Sequence, residues 1–332
     1  MRTALRLLLS IAIAAGLLAL LFAWGDLSLE ELWETWRRLP LEVYLGALAI
    51  HLLIYVLRSL RFAVLLPGDV RPDQPRLLAI SAAHNMAALL LPAKTGEAVL
   101  PVYLKRLCGV PASDGLATLV VSRLLDLAVL CTILATACQW MSLSVEDAPA
   151  WMMPLALGLA AAAAFGFAVS ARGDLVVRFF AWMLRATHLG GTRLGRKLDG
   201  LSHSIAGSLR AAGGTGPLLR GLLLSLPLWA LVFTFLVVLG RGFGLEQAHG
   251  VMGDLFGAAC SLLAHMLPIS VFAGVGTQEA GWMVGFQLLE VPDDLALSTG
   301  LGVYTVFRLN VVLLGLVGHL VMSLLGASTQ AE

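Results

Sequence analysis

Long apolar segments constrain how this chain can fold more than any other feature. A helix needs about 20 apolar residues to cross a bilayer. Six segments meet that length: 5–24, 41–64, 112–138, 150–170, 217–240 and 294–325. The chain is 59% hydrophobic and only 13% charged, which excludes a water-soluble globular domain. We therefore predict an all-α polytopic membrane protein, with residues 1–332 forming a single integral membrane domain.

Two further apolar segments, 77–107 and 249–289, are each interrupted by proline, glycine and polar residues. At their centres the chain repeats one phrase, Thr95-Gly96-Glu97-Ala98 and Thr277-Gln278-Glu279-Ala280. Non-helical backbone at membrane depth is tolerated only where protein or water satisfies its polar groups. We therefore predict that each segment forms a re-entrant helical hairpin, and that the repeated phrase marks a duplicated unit.

The duplication divides the chain into an N-terminal helix with an outer loop, two repeats and a linker. These parts are 1–40, repeat 1 at 41–170, the linker at 171–216 and repeat 2 at 217–325. The chain makes three crossings between the second and fifth spanning segments, so the second repeat is expected to be inverted relative to the first. The two hairpin tips would then meet near the midplane, as in secondary transporters.

The distribution of basic residues predicts the orientation. The linker 171–216 has seven Lys and Arg residues against two Asp residues, and cytoplasmic loops carry such an excess. We expect this linker to be cytoplasmic and partly interfacial, with both termini on the same side. Arg58 and Arg61 are assigned to that side too. The expected location is a bacterial-type cytoplasmic (inner) membrane.

Several ionisable residues lie inside the apolar segments. They are Lys94, Glu97, Arg123, Asp126, Glu279 and Arg308. Each costs about 2.5–3.5 kcal/mol at the centre of a lipid-facing helix, so they are expected to face protein or a wet cavity. Arg123 and Asp126 are three residues apart and can pair on one helix face. We also expect Glu97 to pair with Arg123, and Glu279 with Arg308.

The starts of the two repeated phrases are candidate anion sites. Thr95 and Thr277 are suitable helix N-caps, and the free N–H groups that follow can bind a lipid phosphate. The carboxylates of Glu97 and Glu279 would then meet a cationic headgroup, a proton or a coupling ion. Alternatively, they only complement the helix dipoles.

Three polar residues near the breaks are further candidates for the same cavity: His84, Asn85 and His265. Their alternative role is to hydrogen-bond backbone carbonyls that a broken helix leaves free.

Short motifs along the chain resemble those of a known family. They are Arg58-x-x-Arg61, Asn85 through Leu91-Pro92, Gly96-Glu97, Arg123-x-x-Asp126, and Pro268 followed by Gly274-x-Gly276-x-x-Glu279. Over about 41–325, the chain resembles the flippase-like transmembrane family typified by the membrane half of lysylphosphatidylglycerol synthases, the multiple peptide resistance factors. The resemblance implies a lipid path lined by five residues: Glu97, Arg123, Asp126, Glu279 and Arg308.

The expected function is a lipid flippase that moves a phospholipid or related polar lipid between leaflets by alternating access. A secondary transporter of a small amphiphilic or anionic solute is the alternative, and a membrane-embedded lipid transferase is less favoured. We expect no enzyme activity, because the sequence has neither an ATPase motif nor the soluble aminoacyl transferase domain of the synthases. No cofactor, metal or nucleic acid is expected. A homo-oligomer and a separate lipid-modifying enzyme are compatible with this interpretation.

Overall fold

A computed structural model describes most of the chain. The described ranges are 29–66, 72–91, 95–144, 149–171, 215–245, 250–266 and 275–329, with isolated positions between 178 and 203. The predicted span 5–24, Lys94 and most of the linker 171–216 lie outside them. The described residues form helices and no strands, which confirms the all-α prediction.

Within 41–144 and again within 215–329, the helices follow one another in the order long, short, short, long. In sequence they are α1 (Leu29–Arg37), α2 (Leu41–Leu65), α3 (Gln74–Leu90), a 3₁₀ turn (Thr95–Ala98), α4 (Val99–Cys108), α5 (Ala112–Ser144), α6 (Met152–Ala171), α7 (Thr215–Gly242), α8 (Gly250–Met266), α9 (Thr277–Gln287) and α10 (Asp293–Thr329). By length and composition, α2, α5, α7 and α10 can cross a membrane, and they match four predicted spans. Helix α6 covers a fifth.

Proline and glycine set several helix ends. Pro75 lies in the first turn of α3, where its missing N–H costs nothing. Gly109 ends α4 in the left-handed conformation with φ 69°, a common C-terminal signal because glycine has no Cβ to clash. These residues keep α3 and α4 too short, at about 26 and 15 Å, to span a hydrocarbon core of about 30 Å.

Both interrupted segments fold back on themselves as helical hairpins. In the first, the Arg76 guanidinium donates to the Leu107 carbonyl at 3.2 Å, while Gly96 lies against the Ala87 backbone at the other end. In the second, α8 and α9 are antiparallel, because Gly285 lies against Gly257 and Gly281 lies further along α8. Small residues at these contacts let the helix backbones approach closely.

The two halves pack as related units. Helices α2 and α7 are antiparallel, since Gly221 approaches Leu65 while Gly242 approaches Val43. The last long helix of each half packs against the first short helix of the other: α10 against α3, and α5 against α8. Each hairpin therefore packs against a long helix of the opposite half.

Candidate functional site

The first site is an ion pair between the first hairpin and α5. Glu97 lies in the 3₁₀ turn, and Arg123 lies about 17 Å along α5. The Arg123 Nη2 atom donates to Oε1 and Oε2 of Glu97 at 2.7 and 2.9 Å. The side chains of Arg123 and Glu97 are 41% and 26% exposed. The structure thus contains the expected pair in a position that a ligand can reach.

The second site is the corresponding pair in the second hairpin. The Arg308 Nη1 atom lies 2.7 Å from Oε1 of Glu279, and the Gly276 N–H donates to Oε2 of the same carboxylate at 2.8 Å. Glu279 is fully buried and Arg308 is 15% exposed. The carboxylate therefore lies at the helix start and also forms the expected pair with Arg308.

The two threonines do not have the positions expected of N-caps. Gly276 is the N-cap of α9, and Thr277 is the first helical residue. The cap residue has φ 90°, a conformation that glycine adopts more readily than threonine. Thr95 begins a 3₁₀ turn, and Ala98 is the residue before α4. The prediction of a threonine cap is therefore wrong for α9, and Thr95 is not the cap of α4. Moreover, Glu279 itself occupies one N–H at the start of α9.

A buried ion pair connects α2, α5 and α7. Asp126 accepts hydrogen bonds from Arg61 Nη1 and Nη2 at 2.6 and 3.2 Å and from Trp229 at 3.0 Å. Arg61 also donates to Ser225 on α7 at 2.9 Å. The Arg61 and Asp126 side chains are both nearly inaccessible. Arg61, assigned above to the cytoplasmic side, is therefore a buried residue of the helix bundle.

The shortest ion pair of Asp126 is with a residue that the sequence analysis did not predict as its partner. The expected local contact with Arg123 is present, at 3.3 Å, but the contact with Arg61 is shorter. Sequence reasoning missed Arg61 as a partner because it lies 65 residues away. Asp126 accepts four hydrogen bonds, has little exposure and holds both Arg61 and Arg123; its place in a lipid path stays a prediction.

Asn85 belongs to a polar network beside the first site. Arg58 Nη1 donates to the Asn85 Oδ1 atom at 2.7 Å, and the Asn85 amide donates to Tyr55 at 2.8 Å. The Arg58 guanidinium lies 5.8 Å from the centre of the Tyr55 ring and is close enough to Arg123 for repulsion. The charged cluster around the first hairpin therefore contains three arginines and two carboxylates, and its net charge is positive. Its members are Arg58, Arg61, Arg123, Glu97 and Asp126.

The two histidines have different surroundings. His84 is buried on α3, with Nε2 3.5 Å from an oxygen of Glu97. His265 lies on the exposed side of the last turn of α8. Only His84 is therefore brought into the charged cluster of the first hairpin. Among the described residues, no three His, Cys, Asp or Glu side chains are placed to hold a metal ion.

A large apolar groove lies between α5, α6, α7 and α8. It has a volume of about 1100 Å³, and its walls include Ala160 and Ala164 of α6 and Phe233 of α7. Arg241 also lines the groove; its guanidinium is 44% exposed and lies 2.6 Å from the buried carboxylate of Asp254. The groove wall contains neither Glu–Arg pair, and its chemistry suits hydrocarbon chains.

One comparison with known proteins identifies the family of this chain. The family model described as lysylphosphatidylglycerol synthase TM region matches residues 7–318. The comparisons with curated proteins and with solved structures gave no match. The family match covers most of the chain, including both hairpins and both Glu–Arg pairs. The chain therefore belongs to the family of lysylphosphatidylglycerol synthase transmembrane regions, and it is a multi-pass membrane protein.

Proposed function

We propose that this protein is a lipid flippase, which moves a phospholipid or related polar lipid between leaflets by alternating access at its two hairpins. The observation that carries the proposal is the repeated ion pair. Glu97 with Arg123 and Glu279 with Arg308 each join a hairpin tip to the long helix that follows it. Intramembrane charges of this kind are costly and usually functional.

The packing of the two halves supports an inverted repeat. Helices α2 and α7 open the two repeats and are antiparallel, as expected if the repeats cross the membrane in opposite directions. The antiparallel pairs α3 with α4 and α8 with α9 then enter from opposite leaflets as re-entrant hairpins. Such an arrangement brings two interrupted segments to one substrate site.

The different exposure of the two ion pairs supports alternating access. Arg123 is 41% exposed, whereas Arg308 is 15% exposed and its partner Glu279 is fully buried. One hairpin therefore presents its charges to a ligand while the other is closed. The opposite state would bury the first pair and open the second.

The chemistry of the accessible site favours an anionic headgroup. Arg123 provides a half-exposed guanidinium beside Arg58, and arginine recognises phosphate through paired hydrogen bonds. The apolar groove between α5, α6, α7 and α8 provides a surface for acyl chains. A free solute needs no such groove, so the groove favours a lipid over the small anionic solute of the alternative function.

The basic linker 171–216 supports a cytoplasmic location for the linker and both termini in a bacterial-type inner membrane. On this proposal the protein is not an enzyme and uses no cofactor. Its substrate is a membrane phospholipid, and a separate lipid-modifying enzyme would supply any modified headgroup.

Lipid flipping by the full chain in proteoliposomes tests the proposal. Headgroup-labelled phosphatidylglycerol is followed with a membrane-impermeant quencher. The variants are Arg123→Gln and Glu97→Gln, and the matched control is Glu42→Gln, an exposed residue in the first turn of α2. A hydrogen bond to a charged group contributes about 1.5–3 kcal/mol. We therefore expect Arg123→Gln to slow flipping about tenfold or more, with the control at the wild-type rate.

Unchanged flipping in both site variants would reject the proposed site. Uptake of a labelled anionic solute is measured in the same vesicles. If that uptake depends on Arg123 while lipid flipping does not, the protein is a solute transporter instead.

A further inference from the structure

His84 is a buried titratable residue that the proposed lipid site does not use. Its side chain is 1% exposed, and neither ring nitrogen has a hydrogen-bond partner. The Nε2 atom points to Glu97, 3.5 Å from Oε2, which is slightly too long for a well-formed hydrogen bond. Buried polar groups are normally satisfied, so this unsatisfied imidazole beside a carboxylate requires an explanation.

The charged groups around His84 come from three other elements. They are Glu97 of the 3₁₀ turn, Arg123 of α5 and Arg58 of α2. Helix α10 also packs against α3, but it does so through Gly315 and Gly318 against Met86 and Ala83. Glu97 is the single acceptor among these charged groups, and Arg123 already donates to both of its oxygens.

We infer that His84 is a proton-binding site whose protonation frees Arg123 to bind the phosphate of an anionic lipid. This inference rests on the proposed flippase function. A proton taken from water onto His84 creates an imidazolium, which then binds the Glu97 carboxylate. Arg123 is released from Glu97 while Asp126 still holds its other nitrogen. The half-exposed guanidinium then has a free face for the headgroup.

Charge balance favours binding of the proton and the anion together. With His84 neutral, Glu97 neutralises Arg123, and a headgroup phosphate must compete with that carboxylate. With His84 protonated, the site gains one positive charge as the headgroup brings one negative charge. The loaded site therefore has the same net charge as the empty one, which lowers the cost of holding an anion inside the membrane.

Proton linkage can be measured on binding, independently of transport. Short-chain phosphatidylglycerol is titrated into the full-length protein in detergent by calorimetry, in two buffers with different ionisation enthalpies. We expect proton uptake on binding, with an affinity that rises by up to about tenfold per pH unit as the pH falls. His84→Gln should bind without proton uptake. His319→Gln, at the half-buried histidine near Tyr103, should behave like the wild type.

The possible outcomes separate this inference from the flippase proposal. Wild-type binding of phosphatidylglycerol without proton uptake, or the same uptake in His84→Gln, overturns the inference and leaves the flippase intact. Absence of both binding and flipping in the wild type rejects the proposed function itself. If His84→Gln does not fold, ¹⁵N NMR of the wild-type imidazole decides. The ring should become protonated when lipid binds, and a ring that stays neutral overturns the inference.

Discussion

Replacement of Asp126 by asparagine tests whether the buried ion pair anchors the bundle. The substitution preserves the size of the side chain but removes its charge, which leaves Arg61 without a counter-ion at 1% exposure. Ser225 continues to accept one hydrogen bond from Arg61, but it does not balance the charge. The first consequence is thus an uncompensated guanidinium where α2, α5 and α7 meet.

The energetic cost of leaving Arg61 without its counter-ion can be estimated in two ways. Removing one partner of a buried ion pair costs about 3–5 kcal/mol. Placing a single charge at the centre of a membrane helix costs about 2.5–3.5 kcal/mol. We therefore expect Asp126→Asn to lower the free energy of unfolding by about 3 kcal/mol. The double variant Arg61→Met/Asp126→Leu should recover most of this loss, because apolar residues can replace such pairs with little penalty.

Reversible unfolding in mixed micelles of dodecylmaltoside and dodecyl sulfate gives the free energies of unfolding of the wild type, Asp126→Asn, the single variants Arg61→Met and Asp126→Leu, and the double variant Arg61→Met/Asp126→Leu. Their double-mutant cycle isolates the coupling between Arg61 and Asp126. Glu97→Gln serves as the comparison, because its half-exposed site should tolerate neutralisation better. Surface substitutions usually change the free energy of unfolding by no more than about 0.5 kcal/mol. A change no larger than this for Asp126→Asn would refute the claim that the Arg61–Asp126 pair stabilises the helix bundle.

Further predictions concern the second ion pair, the first hairpin and the groove. Glu279→Gln should reduce stability more than Glu97→Gln in parallel unfolding, because Glu279 is fully buried; equal losses would contradict this. Gly96→Ala should cost about 1–3 kcal/mol in thermal or detergent unfolding, since a Cβ would overlap the backbone of α3, whereas Gly158→Ala has open space and should not destabilise. Ala160→Trp, on the groove wall, should slow lipid flipping. Ala161→Trp, at an exposed residue outside the groove wall, is the control, and equal flipping rates for the two variants would exclude the groove from the path.

The sequence predicted the features that depend on local composition. Four spans matched because their apolar segments reach membrane length. The breaks matched because α3 and α8 end at Leu90 and Met266, just before a Leu-Pro pair, and the residue before a proline disfavours the helical conformation. The Glu97–Arg123 pair was predictable because a charge in an apolar segment needs a partner. The orientation, the inverted topology and the roles of the site residues stay predictions.

The features that the sequence did not reveal depend on packing. Arg61 lies four residues before the end of α2 and so resembles a charge at a membrane boundary. Its burial arises only when α2 meets Asp126 of α5 and Ser225 of α7. Gly276 was missed as a cap because the positive φ of one residue cannot be read from a pattern in which threonine precedes a helix.

The rate at which the wild-type protein moves phosphatidylglycerol across a vesicle membrane tests the central claim most directly. Full-length protein is reconstituted at increasing copy number, and the quencher-accessible fraction of headgroup-labelled lipid is followed over time. Protein-free vesicles and vesicles with heat-inactivated protein are prepared in parallel. We predict a flipping rate that rises in proportion to the number of active copies. A rate equal to that of protein-free vesicles at every copy number would contradict the account.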